Sequence, residues 1–314
     1  YDTADYDMWD SHRDMVLRDR VINNNMLSFT EMNTFGKKGI GNESTYNAGY
    51  ALATYLTNEF GSDVISQIID ELSKPHNFSI NKAFVNVLGI SGDEVYLDFK
   101  SSLEARYNSI TEPLKVLPIK GKVLQAEGTT NLFPKWHPKE NGYVYLSNKE
   151  NDFFGQTDLF YHSFDSGKHT KIKSGVISAP TWHPSGDKVY YSKKAKFPNR
   201  HGSRFYDIYS YDFDKDEEER LTIDARAFSP VFIEKDSAIA YLSTYDGGQD
   251  LYLLDLKTST TSRLTNFTDR PMISYLYYDS FSHKLYFDLT ENHFRDIYSF
   301  DLRSHEIDVF AGNK

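Results

Sequence analysis

One tripeptide recurs at nearly constant distance through the second half of this 314-residue chain. Asp158-Leu159-Phe160, Asp207-Ile208-Tyr209, Asp250-Leu251-Tyr252 and Asp296-Ile297-Tyr298 follow one another at 49, 43 and 46 residues. A period of that length belongs to a supersecondary unit that cannot bury both of its faces alone and stacks on copies of itself. Two further markers keep the same phase. Trp136-His137-Pro138 and Trp182-His183-Pro184 open two units, and Arg220-Leu221-Thr222 and Arg263-Leu264-Thr265 close two. Between them lie alternating β-branched and aromatic runs, Val189-Tyr190-Tyr191, Ile239-Ala240-Tyr241 and Leu285-Tyr286-Phe287. Turn residues bound these runs at Asp165-Ser166-Gly167, Ser185-Gly186-Asp187 and Asp246-Gly247-Gly248, where glycine admits a positive φ. The unit therefore reads as four antiparallel strands, and the array as radially stacked blades. Aromatic residues at 15% of the chain suit that architecture, since their side chains pack well on pleated, half-buried surfaces.

These motifs resemble the TolB-like propellers of bacterial envelope proteins, whose blades carry a Trp-Ser-Pro-Asp-Gly turn and end in Leu-Thr. Trp182-His183-Pro184-Ser185-Gly186 matches with His for Ser and Ser for Asp. Ser229-Pro230-Val231-Phe232 and Ile273-Ser274-Tyr275 keep only the strand. The resemblance covers roughly residues 130–314 and implies a six-bladed ring, of which four units are legible. Either the ring is a small four-bladed one, or it is an incomplete six-bladed one that stops at Lys314. The ending Asn313-Lys314, with no closing element after the last strand, favours the second alternative.

Residues 11–107 have helical periodicity and helix boundaries. Ser28-Phe29-Thr30-Glu31 and Ser91-Gly92-Asp93-Glu94 are capping boxes, and Gly61 and Gly89 stand where a left-handed residue ends a helix. Tyr46, Tyr50, Ala53, Leu56 and Phe60 recur at helical spacing, as do Ile65, Ile68, Ile69 and Leu72, and Val95, Phe99 and Leu103. The expected fold class is α + β in two domains. A helical bundle occupies 1–112, a linker with a candidate ring-closing strand 113–130, and propeller blades 131–176, 177–226, 227–270 and 271–314.

The helical stretch is similar to the helical subdomain of gluzincin metallopeptidases of the peptidase MA-like type. The similarity runs through Tyr46-Asn47-Ala48-Gly49-Tyr50, Phe60-Gly61, Ala83-Phe84, Leu88-Gly89 and Leu97-Asp98-Phe99. Trp9-Asp10-Ser11-His12-Arg13-Asp14 resembles the segment after the family's zinc site. In that family His-Glu-x-x-His and a downstream Glu hold the zinc, and both lie upstream of the matching region. This sequence contains no His-Glu-x-x-His, so the imidazole pair on one helix face and its general-base Glu are both missing. It contains no Gly-x-Ser-x-Gly either.

Candidate sites are few. His12, beside Asp10, Arg13 and Asp14, reads as a helix start whose charges are solvated and suit the helix dipole. His137 and His183 sit in equivalent turns of successive blades and read as turn residues, not a metal pair, because no third ligand converges on them. Asp212, Asp214, Asp216 and Glu217–Glu219 alternate like a calcium loop but lack its glycine and terminal glutamate, and read as a hairpin turn. Lys193-Lys194-Ala195-Lys196 to Arg204 is a long basic insertion of the kind that carries partners.

No catalytic, cofactor or metal residue is assigned, and no cofactor is expected in this chain. Net charge is −10 with no basic stripe, which argues against a nucleic-acid partner. No apolar run approaches the ~20 residues of a bilayer span. The resulting expectation is a non-catalytic envelope segment, periplasmic or on the outer surface by resemblance, whose propeller mouth takes a protein or peptide. The alternative is the downstream part of a zinc metallopeptidase whose motif lies before Tyr1.

Overall fold

A computed structural model of the chain describes residues 11–33, 43–116, 121–153, 155–235, 237–291 and 294–312. The chain divides into two compact units, Tyr1–Lys122 and Val123–Lys314. Among the described residues the first contains five α-helices and the second four four-stranded antiparallel sheets.

The helices are α1 (Ser11–Ile22), α2 (Glu43–Phe60), α3 (Val64–Leu72), α4 (Ile80–Leu88) and α5 (Gly92–Lys115). Their ends follow the local chemistry. The Ser91 hydroxyl accepts from the Glu94 amide while the Glu94 carboxylate accepts from the Ser91 amide, which starts α5. Ser28 and Glu31 make the same reciprocal pair, but a short 3-10 turn (Glu31–Asn33) follows it. Gly61 and Gly89 carry φ of 99° and 78° and close α2 and α4. Helix α5 runs past Pro113 to Lys115, and the described residues 121–125 form no strand.

The buried stripe of α2 differs from the expected one. Ala48, Leu52 and Leu56 are buried, whereas Tyr46 and Phe60 are exposed. Apolar residues lie on more than one face of this helix, so spacing alone could not choose the inward row. Packing beside the Tyr55, Tyr96 and Phe99 rings chooses it. Asp14 is no solvated charge. It accepts from the buried Tyr107 hydroxyl (3.0 Å) and pairs with Arg18 and Arg106 (3.1 Å each), joining α1 to α5. Burial, followed by this carboxylate, pushes the Tyr107 phenol up. Residues 1–10 and the side chains of Ser11 and His12 lie outside the described ones.

The first blade contains β1 (Asn131–Trp136), β2 (Gly142–Ser147), β3 (Asp158–Ser163) and β4 (His169–Ser174). The second contains β5 (Thr181–Trp182), β6 (Lys188–Lys194), β7 (Tyr206–Asp212) and β8 (Glu217–Arg220). The third contains β9 (Ala227–Ile233), β10 (Ala238–Ser243), β11 (Asp250–Asp255) and β12 (Thr260–Arg263). The fourth contains β13 (Leu276–Asp279), β14 (Lys284–Glu291), β15 (Phe294–Asp301) and β16 (Ile307–Ala311). Each sheet is a simple meander in sequence order, and among the described residues the four sheets do not close a ring.

The second strand of each inner blade is buried on both faces because the pleat sends alternate residues to different neighbours. Val144 and Leu146 meet Val189 and Tyr191 between blades one and two. Tyr190 points the other way, toward Ile239 and Tyr241 of blade three. Ala240 and Leu242 then pack with Leu285 and Phe287 of blade four. Burial pushes the phenols of Tyr190 and Tyr241 up to about 12, so this interface stays uncharged across the neutral range.

Candidate functional site

An antiparallel meander alternates between two ends of the propeller. One end carries the hairpins joining first to second and third to fourth strands. The other carries the loops joining second to third strands, together with the passages between blades.

The recurrent aspartate sits at the loop end, at the start of each third strand, and the two inner blades show its purpose. Asp207, fully buried, accepts from Arg220 Nη2 (2.6 Å), the Thr222 hydroxyl (2.9 Å) and the backbone amides of Asp224 and Ala225 (3.3 and 2.9 Å). Asp250 repeats this with Arg263 (2.5 Å), Thr265 (2.7 Å) and the Phe267 amide (3.0 Å). The Asp tripeptide and the Arg-Leu-Thr closure are thus two halves of one network that pins the fourth strand and the passage to the next blade. Sequence reasoning saw both markers and missed their link, although the signal was present: Arg and Thr follow the Asp by 13 and 15 residues in both blades. Blade one keeps the plan with Lys171 (2.8 Å from Asp158), and blade four has Val309 in register with Tyr298 instead.

The hairpin end is standardised. The side chains of Ser163, Asp212, Asp255 and Asp301 end the third strands and accept from backbone amides two or three residues on. Four residues after each stands a left-handed residue: Gly167, Asp216, Ser259 and His305, with φ of 67°, 53°, 56° and 63°. The acidic run is therefore not one loop around an ion. Asp212 organises its turn, and Glu217–Arg220 is strand β8, where Glu218 takes Lys193 (2.7 Å) and the Tyr191 hydroxyl (2.5 Å). Among the described residues no three His, Asp or Glu side chains form a metal cluster.

His137 and His183 are turn residues at this same end. His137 Nδ1 accepts from the amides of Lys139 and Glu140 (3.1 and 2.8 Å), which leaves Nε2–H to donate to the Gly186 carbonyl of the next blade (2.9 Å). His183 Nδ1 accepts from the Ser185 amide (3.2 Å), and its ring packs on Phe232 of blade three. Trp182 donates Nε1–H to the Lys135 carbonyl (3.1 Å) and stacks on Phe213.

The first strands of the four blades line an inner cavity of about 130 Å³, with Lys135, Thr181, Val231 and Tyr277 on its wall. Left-handed Phe133 and Ser229 (φ 53° and 51°) bulge β1 and β9 just before Pro134 and Pro230, which have no amide hydrogen to give a ladder.

The loop end offers more room. The basic insertion between β6 and β7 is an ordered projection. The Asn199 side-chain oxygen accepts from the amides of His201 and Ser203 (3.0 and 3.1 Å), and Ala195 donates to the Phe205 carbonyl (2.8 Å). Asn199 Nδ2 also donates to Asp224 (3.0 Å), whose own amide is held by Asp207. The projection is thereby moored to the blade's structural aspartate. Beside it open two adjoining cavities of about 680 and 310 Å³ that share Phe205 and Arg226. The Arg226 guanidinium lies 4.3 Å over the Phe205 ring, and Phe197 and Tyr245 are exposed at 72% and 65%. Lys194, Lys196, Arg200 and Arg204 carry four positive charges over eleven residues that contain no Asp or Glu. Among the described residues, neither these four nor Arg226 forms an ion pair, whereas Lys171, Lys193, Arg220, Arg263 and Arg295 all do.

No family model matches the chain, and no curated protein does. Several solved structures are similar to part of it. TolB from Acinetobacter baumannii aligns at 17% identity with a TM-score of 0.49, over 62% of this chain and 47% of its own. The putative TolB from Agrobacterium tumefaciens aligns at 16% with 0.47, over 60% and 70%. The propeller domain of the Trilobed protease from Pyrococcus furiosus aligns at 17% with 0.44, over 59% and 56%. The chain thus spans less than half the length of the first of these. No helix among the described residues is long and apolar enough to cross a membrane.

Proposed function

We propose that the propeller is a non-catalytic binding and scaffolding module of the bacterial cell envelope, and that a protein or peptide partner seats on its loop end. The observation that carries this reading is the pair of adjoining cavities around Arg226 and Phe205, flanked by a moored projection. Pre-organised loops on a rigid scaffold lose little entropy on binding, which is why they serve as recognition surfaces. The inner cavity, at about 130 Å³, is smaller than either of them. Periplasmic or outer-surface residence follows from the sequence resemblance to TolB-like propellers. The chain has no cysteine, so a single introduced thiol can carry a photocrosslinker. Envelope extract should yield a discrete adduct with the probe at Tyr245→Cys and none at Phe281→Cys on the hairpin end. Adducts at Phe281→Cys alone, or at neither position, would reject the assignment.

A second reading, in which the helical unit is the downstream part of a zinc metallopeptidase of peptidase MA-like type, is favoured by one observation. Helices α2 to α5 fall on the segments that carry the sequence resemblance, with Gly61 and Gly89 as left-handed terminators. The gene region before Tyr1 tests it. A His-Glu-x-x-His within ~150 residues upstream, one typical domain, is the expected result, and its absence rules the reading out.

A further inference from the structure

We infer that the partner segment seated at the loop end is an acidic peptide carrying an aromatic or branched apolar side chain, bound by Arg200, Arg204 and Arg226 with Lys194 and Lys196 at the rim; the inference rests on the binding-module reading above.

A chain of net charge −10 has acidic side chains to spare, and elsewhere in the propeller they are used: Asp158, Asp207, Asp250 and Asp288 each hold a Lys or Arg within 2.8 Å. At the projection the pairing stops. The one carboxylate in the larger cavity is Asp224, and it is already taken by Asn199 Nδ2 (3.0 Å) and Arg220 Nη2 (3.6 Å). It nonetheless keeps its charge, because Asn199 is neutral and Arg220 is shared with Asp207, so one carboxylate stands against the five cations. Five cations against that one carboxylate leave a local positive field that draws in and orients an anionic ligand.

Geometry then narrows the ligand. The positive region is confined to one projection and the adjoining blade passage, and acidic turns occupy the opposite end. A long polyanion would need a continuous basic track and would meet the repulsion of the whole chain. A short acidic segment fits within the patch. Phe205, half-buried beneath the Arg226 guanidinium, and the exposed rings of Phe197 and Tyr245 supply apolar and aromatic surface between the charges. Guanidinium groups favour carboxylates because their planar fork matches both oxygens, and an aromatic floor adds the contact area that charge alone lacks. The Asn199 mooring holds Arg200 in place before the ligand arrives, with Arg200 Nε donating to His201 Nε2 (3.0 Å).

Selection of a random displayed peptide library on the full chain tests this directly. Peptides rich in Asp and Glu with an aromatic or branched residue should be enriched. A synthetic peptide of the enriched sequence should bind saturably and lose affinity as salt rises from about 50 to about 200 mM. The double variant Arg200→Glu/Arg204→Glu, exposed at both positions, should weaken it by about tenfold or more, and Lys257→Glu on the hairpin end should leave it unchanged. Enrichment of neutral or basic peptides would overturn the inference while keeping the binding module. Absence of any enriched peptide would overturn both. Equal binding of the Asn/Gln version of the peptide would also overturn the inference. So would tighter binding of a single-stranded oligonucleotide, or of vesicles of phosphatidylserine in phosphatidylcholine.

Discussion

The two ends of the propeller handle their polar groups in opposite ways. At the hairpin end the third-to-fourth strand turns use one solution four times, with an Asp or Ser folded back on the chain and a left-handed residue four positions later. Side-chain acceptors there are satisfied locally by backbone amides, and a next-blade contact such as His137 on Gly186 is made through fixed tautomers. At the loop end the passages around Asp207 and Asp250 are built alike, but the second-to-third strand loops differ from blade to blade. One of them holds cations with no carboxylate partner. The lesson is about division of labour: repetition marks where a blade is built, and departure from it marks where a blade is free to meet something else.

Five substitutions and one change of condition separate the two kinds of end. Asp207→Ala should be the most damaging, at about 4 kcal/mol, because it leaves Arg220, Thr222 and two backbone amides without their shared acceptor. Urea unfolding followed by tryptophan fluorescence measures it. The same variant should weaken peptide binding, since Asp207 moors Asp224 and through it Asn199. Intact binding in a destabilised Asp207→Ala protein would show that the projection stands independently of the blade.

Gly186→Ala should cost about 2 to 3 kcal/mol and Gly167→Ala about 1 kcal/mol. Both need a positive φ (83° and 67°), but only at Gly186 would the new methyl group meet the His137 ring, 2.8 Å from Nε2. Equal losses would mean that the inter-blade contact has slack. At the same turn position in blade three, Ser259→Gly should gain about 0.5 to 1 kcal/mol, because it removes the left-handed penalty and no packing is lost. A loss in thermal midpoint would refute the shared-turn account.

The smallest effect is pH dependence. Backbone amides hold Asp255 and Asp301 below the ordinary carboxylate range, and Ser282 does so for Asp279. A carboxyl group whose folded pKa is depressed stabilises the fold fully above its unfolded value of about 3.9, and that contribution fades as pH falls through the folded value. Stability should therefore be flat from pH 6 to about 5 in these groups and decline below about 4. Asp255→Asn should flatten part of that decline. An unchanged acid limb would place the acid sensitivity elsewhere.

Strand content, blade phase and hairpin ends were legible in the sequence because each rests on local chemistry repeated at a fixed period. Gly167, Gly186 and Gly247 could be read as left-handed turn residues for the same reason. The inward row of α2 was not, since Tyr46 and Ala48 are equally plausible until α5 packs beside them. Asp14 likewise looked like a surface charge, and only the approach of Tyr107 and Arg106, more than ninety residues away, makes it an anchor. The candidate site was half legible. The basic insertion stood out, but its mooring through Asn199 and Asp224, and the contribution of Arg226 from the passage to blade three and of Tyr245 from blade three, depend on which loops the blades bring together.

The alternation along the second strands has a consequence for how such an array can change. Tyr190 serves one neighbour, while Val189 and Tyr191 serve the other. A substitution at either set is felt across one seam only, so adjoining seams can drift apart in size and polarity without renegotiating the whole stack. Insertion or loss of a single residue in β6 would do the reverse, exchanging the two sets and spoiling both seams together. Point changes are therefore the tolerated currency of divergence in these strands, and length changes are confined to the ends.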